Sequence, residues 1–351
     1  MATRKTLIFD LNKSDLESWL MANDEPRFRV NQIWTAIYQN FKASADDITT
    51  LPTRLREKLS QAFTFQTLKP LKSIQSADGN TIKTLFELND SEKIEAVLMY
   101  YNKRRTLCIS SQAGCGVGCS FCATGQMGLR RNLTSGEIIA QVLYYARYLA
   151  QDDEKVTNVV VMGMGEPFHN YENLMIAMNR LNNPQAFGLG ARRITISTVG
   201  IIPKIFAFAD AGNQYNLAIS LHTVDDALRS ALIPINPHYP VNALMKACRY
   251  YIDQTGRRIT FEYALIQGVN DSLEDANALA EELRGMNCHV NLIPLNPIRE
   301  YKGQRTDPEQ VNAFLEALEN HHIPCSVRLR RGIEIQAGCG QLAVDIKSSH
   351  S

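Results

Sequence analysis

The segment Cys115-Gly-Val-Gly-Cys119-Ser-Phe-Cys122 places three thiols in a C-x3-C-x2-C pattern. Thiolates so spaced in one loop can each bind a different iron of a [4Fe–4S] cluster, whose usual full set is four. The missing fourth ligand leaves one iron open to an incoming amine and carboxylate. Cys108 stands seven residues before Cys115, so the competing arrangement is a zinc site made by all four. Structural zinc favours paired C-x2–4-C knuckles, and Cys108 has no knuckle partner, which leaves the iron cluster as the better reading.

The remaining cysteines, Cys248, Cys288, Cys325 and Cys339, are scattered, and the first three read as core residues. Eight cysteines in 351 residues are too few for the disulfide scaffold of a short secreted domain, so a reducing compartment is expected. With 45% hydrophobic and 21% charged residues the chain is ordinarily globular, which disfavours disorder, collagen and coiled coil. No apolar run reaches the roughly 20 residues that span a bilayer. Asp10 and Lys13 interrupt any signal-peptide core, so a cytoplasmic protein without membrane attachment is expected. The 37 basic and 36 acidic side chains leave a formal charge of +1, which neither demands nor forbids a nucleic-acid partner, because local patches bind phosphates.

Two domains must position these thiols. Residues 1–100 read as a small helical unit with a β-extension. Ser14 precedes Leu16 and Leu20, Ile33, Trp34, Ile37 and Tyr38 recur at helical spacing, and Pro52 opens a third helix. Thr81 to Leu88 and Lys93 to Tyr100 read as a hairpin turned by Asn89-Asp90-Ser91. Residues 101–351 then repeat strand, loop and helix. Apolar β-branched runs begin at Thr106, Asn158, Ile194, Asn216, Ile259 and His289, with a short one at Cys325. Helices are expected at about 135–150, 171–182, 203–211, 240–254, 273–285 and 308–320. Such alternation implies an α/β fold with a parallel sheet and right-handed crossovers, either a partial barrel or an open doubly wound sheet.

Polar and glycine-rich segments follow the strands: Gly163-Met-Gly165-Glu166-Pro167, Ser197-Thr198, Ser220-Leu221-His222 and Pro294-Leu295-Asn296-Pro297. Any one could be ordinary loop chemistry. Four beyond the carboxyl ends of parallel strands are expected to converge on one cavity. Gly163-Met-Gly165 begins like a dinucleotide fingerprint, but Phe168 stands where the third glycine belongs, and no Gly-Lys-Ser/Thr follows.

The cluster spacing, with Phe121 just before the last cysteine, resembles the signature of radical S-adenosylmethionine (SAM) enzymes. Within that group several segments resemble the RlmN/Cfr-type RNA adenine methyltransferases. They include Thr106-Leu-Cys108-Ile-Ser-Ser-Gln, Val161-Met-Gly-Met-Gly-Glu166-Pro, Ser220-Leu-His222, Asn291-Leu-Ile-Pro-Leu-Asn296-Pro and Ala337-Gly-Cys339-Gly-Gln-Leu, and the likeness runs to about residue 343. The resemblance implies a partial (β/α)6 radical SAM barrel, a [4Fe–4S] cluster on Cys115, Cys119 and Cys122, and two SAM molecules per turnover. It gives SAM contacts to Gly165, Glu166, Ser197, Ser220, Leu221, His222 and Asn296.

The same resemblance implies a mechanism for carbon transfer to the electron-poor C2 of adenine. Cys339 takes a methyl group from one SAM. Cleavage of a second SAM gives a radical that converts this group to a methylene radical, which adds to C2. Glu95 removes the C2 proton, and Cys108 attacks the Cys339 sulfur to release the product. Read from the residues alone, Glu95 would be a solvated strand carboxylate. The implied partners are 23S rRNA and tRNA, with an electron donor such as flavodoxin or ferredoxin, and the enzyme is expected to be a monomer. Lys103-Arg104-Arg105, Arg130-Arg131, Arg192-Arg193, Arg328 and Arg330-Arg331 are the basic clusters in which to seek RNA contacts.

The chain departs from the family's usual Asp-Ile-Asp-Ala-Ala-Cys at Glu334-Ile-Gln336-Ala-Gly338-Cys339, and the glycine is expected to loosen that loop. Pro167 favours the C2-methylating branch over the C8-methylating resistance branch. That branch, a radical SAM enzyme of unrelated substrate, and a non-catalytic metal-bearing RNA-binding module are the alternatives.

Overall fold

Ten strands form one continuous sheet whose spatial order is simply chain order. The computed structural model describes residues 5–328 and 331–343. We number the strands β1 (Lys69–Gln75), β2 (Thr81–Glu87), β3 (Lys93–Tyr101), β4 (Arg104–Cys108), β5 (Asn158–Val161), β6 (Ile194–Thr198), β7 (Asn216–Ser220), β8 (Ile259–Leu265), β9 (Cys288–Pro294) and β10 (Cys325–Val327). The pairs from β1 to β4 are antiparallel, and those from β4 to β10 are parallel.

That order decides between the two sheet architectures. A doubly wound sheet reverses its strand order at a switch point. Here each parallel strand follows its predecessor without reversal, so the sheet is singly wound, as in a partial barrel. The expected hairpin is larger than its two strands. β1 adds an exposed edge that carries Lys69, Pro70 and Lys72, residues that discourage edge-to-edge pairing. The extension is also hydrogen-bonded to the barrel, since Val97 on β3 pairs with Cys108 on β4.

Crossover helices occupy Ser135–Ala150, Tyr171–Asn182, Ile202–Asp210, Val241–Thr255, Leu273–Leu283 and Pro308–Asn320, close to the expected ranges. Their starts are set locally. Thr134 accepts from the Glu137 N–H while Glu137 reaches back, and Ser272 and Asp275 repeat the arrangement. An additional short helix, Asp226–Leu232, begins behind the Asp225 cap.

The N-terminal helices are Lys13–Met21, Arg29–Tyr38 and Thr53–Ala62. Asn12, not Ser14, caps the first, because its side chain accepts from the Asp15 N–H in a reciprocal pair. This unit docks on the barrel through polar contacts as well as apolar ones. Asp10 accepts from the Gly136 N–H at 2.7 Å. Arg180 donates to the Tyr38 hydroxyl at 2.8 Å and lies 4.6 Å over Trp34. Among the described residues no helix is long and apolar enough to cross a membrane.

Candidate active site

Parallel strands direct their carboxyl ends to one rim, and the loops leaving that rim converge. Cys115, Cys119 and Cys122 line a cavity together with Gly165 and Glu166 beyond β5, Ser197 at the end of β6 and Ser220 and His222 at the end of β7. Asn296 beyond β9 and Cys339 complete this wall. The four polar segments therefore meet as their placement predicts. Leu221 does not line the cavity. It is fully buried, and its N–H donates to the Glu262 carbonyl.

Cys115, Cys119 and Cys122 share this cavity, whereas Cys108 lines a different one, so the four thiols are not gathered around a single zinc and the three that share a wall could each meet a different iron. Burial pushes all three thiols up, Cys115 to about 12. Bound iron would supply the positive charge that deprotonates such ligands.

Glu166 sits under this cavity. Its Oε1 accepts from the Phe168 N–H and its Oε2 from the Val199 N–H, both at 2.9 Å. Burial raises its pKa to about 7. The Thr198 side chain also bonds this carboxylate, which lines the cavity where a ligand ammonium can meet it. Gly165 has φ +101, and a Cβ there would stand 2.5 Å from the Gln112 Cβ. Only glycine fits this turn.

His222 is held neutral. Its Nδ1 accepts from the Ala264 N–H at 2.8 Å, so the ring proton resides on Nε2. Burial lowers its pKa to about 3. Its ring meets Phe121 edge-on at 4.9 Å, which ties the aromatic residue of the cysteine loop to the end of β7. Beneath them Arg229 is fully buried and donates to the carbonyls of Leu221, Val199 and Ser220 and to Asn236 Oδ1. These bonds gather the backbones at the ends of β6 and β7 and the Asn236 side chain around one guanidinium.

Cys108 ends β4 and lines a second, smaller cavity with Cys339, Met162, Tyr101 and Arg328. Both cysteines are free thiols. The sequence separates them widely, and the structure makes them neighbours. Burial pushes Cys108 up to about 12, the nearby Cys339 adds to this, and Arg328 opposes it. Arg328 also approaches Glu262 Oε2 at 3.9 Å. Glu262 is itself buried on β8, accepts from Asn291 at 3.0 Å and lines the cluster cavity. Sequence reasoning missed Glu262, whose signal was one acid inside the apolar run Ile-Thr-Phe-Glu-Tyr-Ala-Leu. Arg328, in one of the basic clusters in which RNA contacts are sought, lies beside the two thiols.

Glu95 lies outside both cavities and is 4% exposed, not solvated. Its carboxylate pairs with Lys83 at 3.0 Å and accepts from the Ala343 N–H at 3.1 Å. The Cys339 loop is anchored along its length. Asn296 donates to the Cys339 carbonyl, the Ala123 N–H to Gly340, and the Thr124 hydroxyl to Leu342. Gly338 does not loosen it by unusual backbone freedom. A Cβ there would stand 2.7 Å from Asn296 Nδ2 and from Gln341 Oε1, so those two side-chain ends sit closer to the backbone than an alanine would allow without a shift.

The basic clusters divide. Arg105 pairs with Glu154, and Arg131 with Glu137 and Asp90. Arg192 and Arg193 precede β6, at the opposite end of the sheet. Arg104 and Arg331 both lie over the Tyr101 ring, at 4.9 and 4.5 Å, beside the Cys108 cavity. Arg330 lies outside the described residues.

Residues 109–280 match the Radical SAM superfamily, and residues 6–64 match the ribosomal RNA large subunit methyltransferase N-terminal domain. The probable dual-specificity RNA methyltransferase RlmN of Geobacillus kaustophilus is 49% identical over 335 residues, 95% of this chain and 92% of that protein. The protein of the same description from Bacillus cereus ATCC 14579 is 45% identical over 342 residues, 97% of this chain and 94% of its own. A solved radical SAM methyltransferase from Sphaerobacter thermophilus superposes with a TM-score of 0.94 at 48% identity, covering 96% of this chain and 99% of that one.

Proposed function

Because the chain belongs to the RlmN family of radical SAM RNA methyltransferases, we propose that it methylates C2 of an adenine in 23S rRNA and in tRNA, passing the carbon through Cys339. The observation that carries this reading is the position of Cys339, which lines both the cavity of the cluster cysteines and that of Cys108. One thiol thereby faces a methyl donor on one side and a resolving thiol on the other.

Cys339 takes a methyl group from one SAM as a thiolate nucleophile. Cys115, Cys119 and Cys122 would hold a [4Fe–4S] cluster, which would supply the one-electron chemistry, both giving and taking back an electron, that activation of the Cys339 methyl group for addition to C2 needs. Glu95 accepts the C2 proton. Cys108 then attacks the Cys339 sulfur, a disulfide forms, and the departing carbon takes up a proton to become the new methyl group. Glu166 suits the ammonium of SAM, Gly165 its close approach, and Ser197, Ser220, His222 and Asn296 its polar groups.

The target base must leave its stack to reach these thiols. Tyr101, flanked by Arg104 and Arg331, offers a ring face and two cations for RNA at the smaller cavity. We assign the activity to a cytoplasmic monomer supplied with electrons by a flavodoxin or ferredoxin. Anaerobically reconstituted protein incubated with SAM, a reductant and unmethylated 23S rRNA or tRNA should yield 2-methyladenosine on mass mapping. Methylation at C8 would move the chain to the other branch, and zinc without iron in anaerobically purified protein would overturn the reading.

A further inference from the structure

The barrel has a second mouth, at the amino ends of its parallel strands, and its lining is basic. Arg192, just before β6, and Arg257 and Arg258, just before β8, line a cavity there whose walls contain no carboxylate. Helix Val241–Thr255 stops at Gly256, whose φ of +64 turns the chain into the second pair of arginines. The floor comes from the sheet, through Thr195 on β6, Asn216 on β7 and Thr260 on β8. Two residues beyond Thr195 and Thr260 stand Ser197 and Glu262, and four beyond Asn216 stands Ser220, all three in the cluster cavity. Strand side chains alternate, so both sets share the inward face of the sheet, roughly 7 Å apart along β6 and β8.

These arginines differ from the paired cations elsewhere on the barrel. Arg105 and Arg131 are matched by carboxylates. Arg257 instead donates through Nη1 to Gln214 Oε1 at 3.1 Å and through Nη2 to Asn216 Oδ1 at 2.7 Å, and Tyr251 is a further neighbour. Neutral partners fix this guanidinium without cancelling its charge, and its Nε is buried with no hydrogen bond among the described residues. Arg192 and Arg258 are exposed, and neither side chain enters a hydrogen bond or ion pair among the described residues. Three like charges without an acid repel one another, a cost that a bound anion would remove. Thr195 Oγ1 accepts from Asn216 Nδ2 at 3.4 Å and keeps its own hydrogen to donate.

We propose that this mouth is a phosphate site, with Arg192, Arg257 and Arg258 as its cations and the Thr195 hydroxyl as a further donor. A guanidinium presents its N–H groups in a planar fork that matches two phosphate oxygens. The reading of the thiols plays no part in this assignment, because the site lies at the other end of the sheet from methyl transfer. The phosphate belongs either to the backbone of RNA or to a free polyphosphate, and the same cations serve both.

The test compares full-length wild type with the double variant Arg192→Gln, Arg258→Gln, using inorganic pyrophosphate and unmethylated tRNA as probes. Both replaced side chains are exposed and unbonded, so the Tm without phosphate should hold. Arg258→Gln alone repeats the measurements if the double variant does not fold. With a free polyphosphate as the source, wild type binds pyrophosphate by calorimetry with a rise in Tm, and the variant binds it at least about tenfold more weakly. With RNA as the source, the slope of log Kd for tRNA against log salt falls by roughly 1.5 to 2 in the variant, the loss of two phosphate contacts. Either result supports the site. Pyrophosphate binding that is absent, or that survives unchanged in the variant, overturns it when the tRNA slope is also unchanged. Failure of tRNA to bind wild type counts against the proposed substrate, and pyrophosphate alone then decides the site.

Discussion

Asn296 donates through Nδ2 to the Cys339 carbonyl at 3.1 Å, joining the loop beyond β9 to the loop of the reactive thiol. Its Oδ1 is buried without a partner among the described residues, and the residue lines the cluster cavity. One amide thus lines the ligand space and holds the Cys339 backbone with its nitrogen, while its oxygen has no hydrogen bond among the described residues. Replacing Asn296 by Ala should weaken SAM binding about tenfold, the loss of one or two hydrogen bonds. Equilibrium binding to reconstituted protein measures this, and unchanged affinity would remove Asn296 from the SAM site.

Cys108→Ala should stop turnover after carbon transfer. Methylation of Cys339 proceeds without Cys108, but the sulfur–carbon bond to the adenine has no thiol to break it. A covalent protein–RNA species should accumulate on denaturing gels. Catalytically competent protein that yields no such band would refute the exchange step.

Stability should depend on pH through His222. The unfolded imidazole titrates near 6.5, whereas the buried ring stays neutral down to about pH 3. Between those values the unfolded chain holds the extra proton, so this contribution is complete above pH 6.5 and is lost as pH falls toward 3. By pH 5 the loss amounts to about 2 kcal/mol. The backbone there has φ +63, which asparagine tolerates. His222→Asn should therefore show a shallower fall in Tm between pH 7 and 5 than wild type, and equal slopes would contradict the assignment.

RNA affinity should respond to the cations around Tyr101. Arg331→Ala should weaken binding of RNA and lower the salt slope of log Kd by about one phosphate contact. Tyr101→Ala removes the ring face and should weaken binding at every salt concentration while leaving that slope nearly unchanged. The opposite pattern would exchange the two roles.

The barrel was legible because its periodicities are strong. The apolar runs beginning at Asn158, Ile194 and Asn216 became β5, β6 and β7, and helix Ser135–Ala150 begins behind the Thr134–Glu137 box. Strand order was not legible, because alternation is the same in singly and doubly wound sheets. β1 escaped notice because its exposed residues show no alternating burial. The cluster cysteines announced themselves by spacing. Glu95 did not, because the residues around it in sequence cannot show that Lys83, twelve positions earlier, would pair with it. Arg229 lies on the short helix that sequence reasoning overlooked, and its role arises from carbonyls at the ends of two different strands, β6 and β7.

The coincidence of strand order with chain order also bears on how the molecule assembles. Each strand of the sheet finds its partner in the segment made just before or after it, so growth requires modest loop closures. The loop after β10 is the exception. It returns to the antiparallel edge, where Gln336 meets Lys83 and Ala343 meets Glu95 across about 250 positions. Contacts of that range are entropically the most expensive, and they favour a late place in folding. A chain caught before that closure keeps Cys108 and Cys339 apart, so the contact that would complete a turnover is among the last that folding makes.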